Sequence, residues 1–146
     1  MKWLFATALA AALFPSAPSS LRALGAGTTR YSVRSEAREL EVNTRDEVTF
    51  IVETVGEHTF DGEYAVEMVL TLEGQDKALA FSKSRFGRKD ANYTKDGKSL
   101  TWKTWATARK AGRYPVRANM KFRVCEEDDD CFDHTAELKI TLLAKD

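Results

Sequence analysis

The sequence predicts an all-β antiparallel sandwich of seven to eight short strands, and three observations carry that prediction. Apolar side chains recur at every second position in several stretches, most cleanly at Tyr114, Val116, Ala118, Met120, Phe122 and Val124. That is the period of a strand with one buried face. Turn-forming residues separate these stretches, among them Glu73-Gly74-Gln75-Asp76, Asp96-Gly97 and Ala111-Gly112. Beyond the first 25 residues no stretch has a helical period. Regularly spaced short strands with turns between them are the pattern of a sandwich.

The chain of 146 residues suits one domain with a core of its own. Its start reads differently from the rest. Lys2 precedes an apolar run from Trp3 to Phe14, followed by Pro15, Ser16, Pro18 and Ser20. A short charged start, a brief apolar run and small residues describe a secretory signal peptide. The run is shorter than the roughly 20 residues a membrane span needs. Cleavage is expected after Gly25, with Ser19 as the alternative, which leaves residues 26–146 as an exported domain without a stable membrane insertion. The expected location is periplasmic or secreted.

In chain order, a polar lead-in holds one short strand near Tyr31–Val33. Leu40 and Val42 alternate with acids, and Asn43-Thr44-Arg45-Asp46 turns the chain. Val48, Phe50 and Val52 mark the next strand. A connection from Gly56 to Gly62 carries His58 and Phe60. Tyr64, Val66, Met68, Leu70 and Leu72 form a second clean alternation, and Leu79 and Phe81 a shorter one. Ser84 to Lys98 is polar, basic and glycine-punctuated, and reads as a long surface loop. Leu100, Trp102, Thr104 and Ala106 follow, with Trp102 facing the core and Trp105, of opposite parity, facing out. After the strand Tyr114–Val124 comes the last one, with Leu138, Ile140 and Leu142 on its buried face.

Charge is segregated although it sums to zero. Glu36 to Asp76 holds twelve acids and two bases, Lys77 to Arg123 fourteen bases and two acids, and Val124 to Asp146 eight acids and two bases. Successive stretches of opposite sign are expected to fold back and pair across the sheet. No nucleic-acid-binding motif accompanies the basic stretch, so nucleic acid is not an expected partner. His58 has no nucleophile or carboxylate at a spacing that would make it catalytic. Asn92-Tyr93-Thr94 is a glycosylation sequon.

Chemistry concentrates in Arg123-Val124-Cys125-Glu126-Glu127-Asp128-Asp129-Asp130-Cys131-Phe132-Asp133-His134. In an oxidising compartment two cysteines default to a disulfide. Core-facing positions of the strand before it are even-numbered, so Cys125 leaves on the solvent side, and the bond is expected to be accessible. Three readings stay open. As a staple over a seven-residue ring the disulfide contributes about 2.4 kcal/mol in the loop-entropy account. As a redox couple it offers a sulfur that a thiolate can reach. The flanking acids raise the thiol pKa, which disfavours it as an attacker and suits it to being attacked; Arg123 and a protonated His134 would offset part of that. As a metal site, Cys125, Cys131, Asp133 and His134 match no standard zinc or calcium spacing. No metal and no cofactor are expected.

The turn Gly112-Arg113-Tyr114, the alternating strand after it, Cys-x5-Cys and a final apolar strand to Leu142 resemble the N-terminal domain of the thiol:disulfide interchange protein DsbD. The resemblance implies an immunoglobulin-like fold. It implies that Cys125 and Cys131 form a redox pair receiving electrons from a thioredoxin-like protein partner. An aromatic cap loop shields the pair in that family, and Phe86-Gly87 is the nearest candidate here. The alternative is a non-enzymatic immunoglobulin-like binding or structural module whose disulfide only pins the loop.

Overall fold

The computed structural model describes residues 20–24, 30–74, 77–126 and 130–146. They form β1 (Ser20–Leu24), β2 (Tyr31–Arg38), β3 (Leu40–Glu41), β4 (Arg45–Thr54), β5 (Thr59–Phe60) and β6 (Glu67–Leu72). Then follow β7 (Leu79–Phe81), β8 (Arg85–Phe86), β9 (Asn92–Tyr93), β10 (Ser99–Ala108), β11 (Gly112–Cys125) and β12 (Cys131–Lys145). One sheet runs β1-β2-β4-β10-β7, with β9 also on β10. The other runs β3-β12-β11-β6-β8, with β5 also on β11.

This is the immunoglobulin topology. The order β2-β4-β10-β7 corresponds to strands A-B-E-D, and β6-β11-β12 to C-F-G. Chain reversals make the long pairs antiparallel, while β3 lies parallel to β12 at Ala144 and Lys145. The D position is divided. β7 covers Ala106–Ala108 of β10 and β9 covers Leu100 and Thr101. Between them the chain crosses to the other sheet, where β8 pairs Met68 and Val69 of β6.

The two-residue strands β3, β5, β8 and β9 add to the longer ones legible from alternation. β3 falls where Leu40 and Val42 alternate with acids and predict a short half-buried strand; for β5, β8 and β9, two residues carry no period, so no sequence pattern announces them. The segment expected as a surface loop, Ser84 to Lys98, accordingly contains β8, a single 3-10 turn at Arg88–Asp90 and β9. Asp90 holds that turn by accepting from the Gly87 N–H at 2.9 Å and from Lys83 Nζ at 2.5 Å. The Lys83 contact, then the Gly87 N–H, keeps its carboxyl below the usual range.

The inner faces follow the predicted parity. Every even residue of β11 from Tyr114 to Val124 is buried, as are Leu100, Trp102, Thr104, Ala106 and Ala108 of β10. Trp102 is fully buried and Trp105 is 42% exposed. Oppositely charged strands pair as expected. Arg117 of β11 donates to Glu73 at 2.6 Å, and Lys103 of β10 lies 3.8 Å from Glu47 of β4. At the start of β11, Tyr114 is buried and its hydroxyl donates back to Lys110 O at 2.5 Å. Such a corner ties the E–F connection to the sandwich. Tyr114→Phe leaves that carbonyl without its donor and is expected to lower stability by about 1–2 kcal/mol in urea unfolding.

The apolar run Trp3–Phe14 and the cleavage position Gly25 lie outside the described residues. Ser20–Leu24, within the segment expected to be removed, forms β1 on the edge of β2 in the register Ser20↔Arg38 to Leu24↔Arg34. Cleavage after Gly25 would take β1 away, and cleavage after Ser19 would keep it.

Candidate functional site at the cysteine hairpin

β11 and β12 pair without a break from Gly112↔Ala144 to Cys125↔Cys131. β12 therefore begins at Cys131, seven residues earlier than its first clear core residue, Leu138, announces. Alternation fades there because Phe132 and His134 occupy the even positions of its first turn-proximal residues. The two cysteines face each other as the last pair of the ladder and are joined in a disulfide with Cα atoms 4.0 Å apart. A narrow antiparallel pair brings Cα atoms to about 4.5 Å, so the hairpin itself delivers the sulfurs. The Glu126 N–H donates to Asp130 O at 2.8 Å and closes the connection. Its central residues, 127–129, are outside the described ones.

The two cysteines are not equivalent. β5 pairs with β11 on the side away from β12, with Thr59 opposite Cys125 and Phe60 opposite Val124. Cys125 is half-buried as a result. The outer side of β12 is paired by β3 only at Ala144 and Lys145, far from Cys131, and Cys131 is exposed. The parity expectation of an accessible bond is met.

The expected modulators are placed differently from their expected roles. Arg123 lies on the same face as Cys125, two pairs down the ladder, opposite Asp133. Its Nε donates to Asp133 Oδ1 at 2.6 Å, its Nη1 lies 3.5 Å from Asp61 Oδ2, and its guanidinium sits 4.6 Å over the Tyr64 ring. Asp133 is in turn held below the usual carboxylate range by that Arg123 bond. With two carboxylates on it, Arg123 has little charge to lend a thiolate.

His134 has even parity and turns inward. Its ring packs 4.9 Å from Tyr31 and 5.8 Å from Phe122, and its Nε2 is buried without a hydrogen-bond partner among the described residues. Burial and then Arg30 push its pKa below the ordinary imidazole value, against a smaller opposing pull from Asp133. The ring is therefore neutral at neutral pH and does not offset the acidic loop.

A consequence for stability follows from the sign. The unfolded chain takes up this proton near pH 6.5, while the folded chain resists it, so stability is full above that pH and declines as pH falls through it. The melting temperature is expected to fall between pH 7.5 and pH 5. His134→Phe should flatten that slope; an unchanged slope would remove His134 from the account.

Phe86 is not beside the cysteines. It pairs with Met68 in β8, which is itself opposite Met120, five residues along β11 from Cys125. That is roughly 15 Å or more away at about 3.3 Å per residue. Its ring is buried at 3% exposure as part of the core, and the Gly87 carbonyl next to it accepts from Trp102 Nε1 at 3.4 Å.

His58, solitary in the sequence, gains partners. The pairing of β5 with β11 brings it level with Glu126. Its Nδ1 donates to Val55 O at 2.6 Å and its Nε2 lies 3.4 Å from Glu126 Oε1. Arg30 Nε stands 3.7 Å from the same oxygen, and its guanidinium covers the Phe132 ring at 4.0 Å. The first acid after Cys125 is thus held between the Arg30 guanidinium and the His58 imidazole, on the opposite face from Arg123. No local signal reveals this, since it depends on the register of a two-residue strand. With both sulfurs in the disulfide neither is free to ligate a metal, and no cluster of three metal-ligating side chains occurs among the described residues.

No protein-family model and no curated protein matches the chain. Among solved structures, it is similar to the GAE domain of GGA2p from Saccharomyces cerevisiae. The identity is 14%, the match covers 82% of this chain and 97% of that one, and the TM-score is 0.47. At that similarity the match says nothing of this chain's activity.

Proposed function

We propose that this chain is an exported immunoglobulin-like domain whose Cys125–Cys131 disulfide accepts electrons from a thiol-bearing, thioredoxin-like protein partner. The observation that supports this reading is the asymmetric exposure of the pair, with Cys131 open at the end of the hairpin and Cys125 flanked by β5. A partner thiolate attacks Cys131 Sγ, the disulfide breaks, and Cys125 departs as a thiolate that takes a proton from water. A second partner thiolate then attacks the mixed disulfide. The attack falls on the partner's own sulfur, so the partner leaves oxidised, Cys131 departs as a thiolate that takes a second proton from water, and the pair is left as two thiols. Acidic neighbours keep those thiols protonated, which suits receipt of electrons better than initiation of attack.

A second reading, a binding or structural module, is favoured by the saturation of Arg123, Arg30 and His58 with carboxylates and a carbonyl. Among the described residues, both guanidinium groups near the pair, Arg123 and Arg30, are engaged with carboxylates rather than with sulfur. The reduction potential separates the two readings. Exchange requires a value above about −300 mV, and a lower one marks a structural bond. Cys125→Ser, which leaves the exposed Cys131 free, is expected to accumulate a mixed disulfide with a specific exported partner, more than Cys131→Ser does. Absence of any such adduct in the exported compartment would sink the exchange reading.

A further inference from the structure

β12 has one long side without a neighbouring strand. β11 covers the other side over its whole length, and β3 covers this one only at Ala144 and Lys145. From Asp133 to Leu143 no strand among the described residues pairs here. The phase of the ladder fixes which groups are left open. Antiparallel pairs alternate between close ones without mutual hydrogen bonds and wider ones that exchange two. Cys125↔Cys131, with Cα atoms 4.0 Å apart, is of the close kind. The Glu126 N–H donating to Asp130 O marks the adjacent pair as the bonded kind. Odd-numbered residues of β12 therefore turn their N–H and C=O groups away from β11. Lys145 keeps this phase, its carbonyl accepting from the Val42 N–H at 3.0 Å just past β3.

An open edge of this length is ordinarily defended by a proline, a bulge or a charge turned inward. Residues 133–143 contain no proline and no glycine, and their ladder with β11 has no bulge. The inward positions His134, Ala136, Leu138, Ile140 and Leu142 include no carboxylate, ammonium or guanidinium group. Outward stand Asp133, Thr135, Glu137, Lys139 and Thr141, with the Glu137 and Lys139 side chains 45% and 62% exposed.

Those two charges select the occupant. When β12 pairs antiparallel with the β12 of a second copy about a two-fold axis at Leu138, odd residues meet odd residues and exchange their open backbone groups. Glu137 then faces Lys139 twice, once on each side of the axis, and Thr135 faces Thr141. Moving the axis by one residue sets Glu137 against itself, or Lys139 against itself. Unlike charges and Thr–Thr pairs directly opposite one another stabilise antiparallel strands, and like charges destabilise them. We infer that the β12 edge is a self-association surface. Two copies join there about Leu138, and their β6-β11-β12 strands become one continuous sheet. The disulfides fall at opposite ends of the seam, so the association is independent of their role.

Sedimentation equilibrium of the purified exported protein across about 0.01–1 mM, the range of weak association, tests this. A reversible monomer–dimer equilibrium is expected. Glu137→Lys and Lys139→Glu each set like charges opposite one another twice, and each should weaken dimerisation at least about ten-fold. An equimolar mixture of the two variants should dimerise again, because the lysines of one chain then face the glutamates of the other. Mixing cannot repair a folding defect, so this arm separates pairing from stability. Thr135→Pro removes an open N–H without touching the β11 ladder and should also give monomers. A protein that is monomeric at every concentration overturns the inference. So does a dimer that both charge reversals leave unchanged, or a mixture that stays monomeric although each variant is folded by circular dichroism. Should a reversal unfold the chain, a dimer of unchanged strength in Thr135→Pro overturns it instead.

Discussion

Phe122→Ala is expected to lower stability by about 3–5 kcal/mol, the range for removing a buried aromatic ring. Phe122 is fully buried, and its ring meets Tyr31 edge-on at 4.8 Å, Phe60 at 5.9 Å and His134 at 5.8 Å. These rings come from β2, β5 and β12, so one side chain ties three elements together directly beneath the cysteine hairpin. Aromatic pairs of this geometry add about 0.5–1.5 kcal/mol beyond area burial, which places the effect toward the upper end. The melting temperature should fall on the order of 10–20 °C. Dithiothreitol should also reduce the disulfide faster in the variant, because the support of β5 on Cys125 is weakened. A stability loss under 1 kcal/mol, or an unchanged reduction rate, would show that the hairpin tip is held independently of the aromatic cluster.

Trp102→Ala is expected to cost about 3–5 kcal/mol as well, with a different local consequence. Trp102 is fully buried, and its indole N–H donates to Gly87 O at 3.4 Å, anchoring the irregular crossing between β7 and β9. That crossing carries Lys83, Arg85, Arg88 and Lys89, all sites for trypsin. Limited digestion should cut there first in the variant, while the wild-type chain resists. Trp105→Ala is the internal comparison. It lies on the same strand with opposite parity and should change stability by no more than about 0.5 kcal/mol. Equal losses for the two tryptophans would contradict the inward and outward assignment of β10.

The longer strands were legible because alternation is local. A pleated chain sends successive side chains to opposite faces, so Tyr114 to Val124 announces both a strand and its buried side. It also places Cys125 on the outside before any partner strand is known. The same logic separates Trp102 from Trp105. It fails at Phe86, where a basic, polar surrounding masks a single buried ring in a two-residue strand. It fails again at the start of β12, where His134 packs among aromatics and breaks the apolar pattern. Segregated charge predicted pairing between strands of opposite sign, and Arg117–Glu73 and Lys103–Glu47 are instances. It could not say which carboxylate would reach Arg123.

By itself the sequence determined the sandwich, the parity of its long strands and the outward exit of Cys125, because each depends on neighbours one or two residues away. Only the tertiary structure decided that Arg123 is neutralised by Asp61 and Asp133, that His134 is inward and neutral, and that His58 meets Glu126. Those contacts join residues as many as 68 positions apart. They are fixed by the register between strands, which no local period encodes.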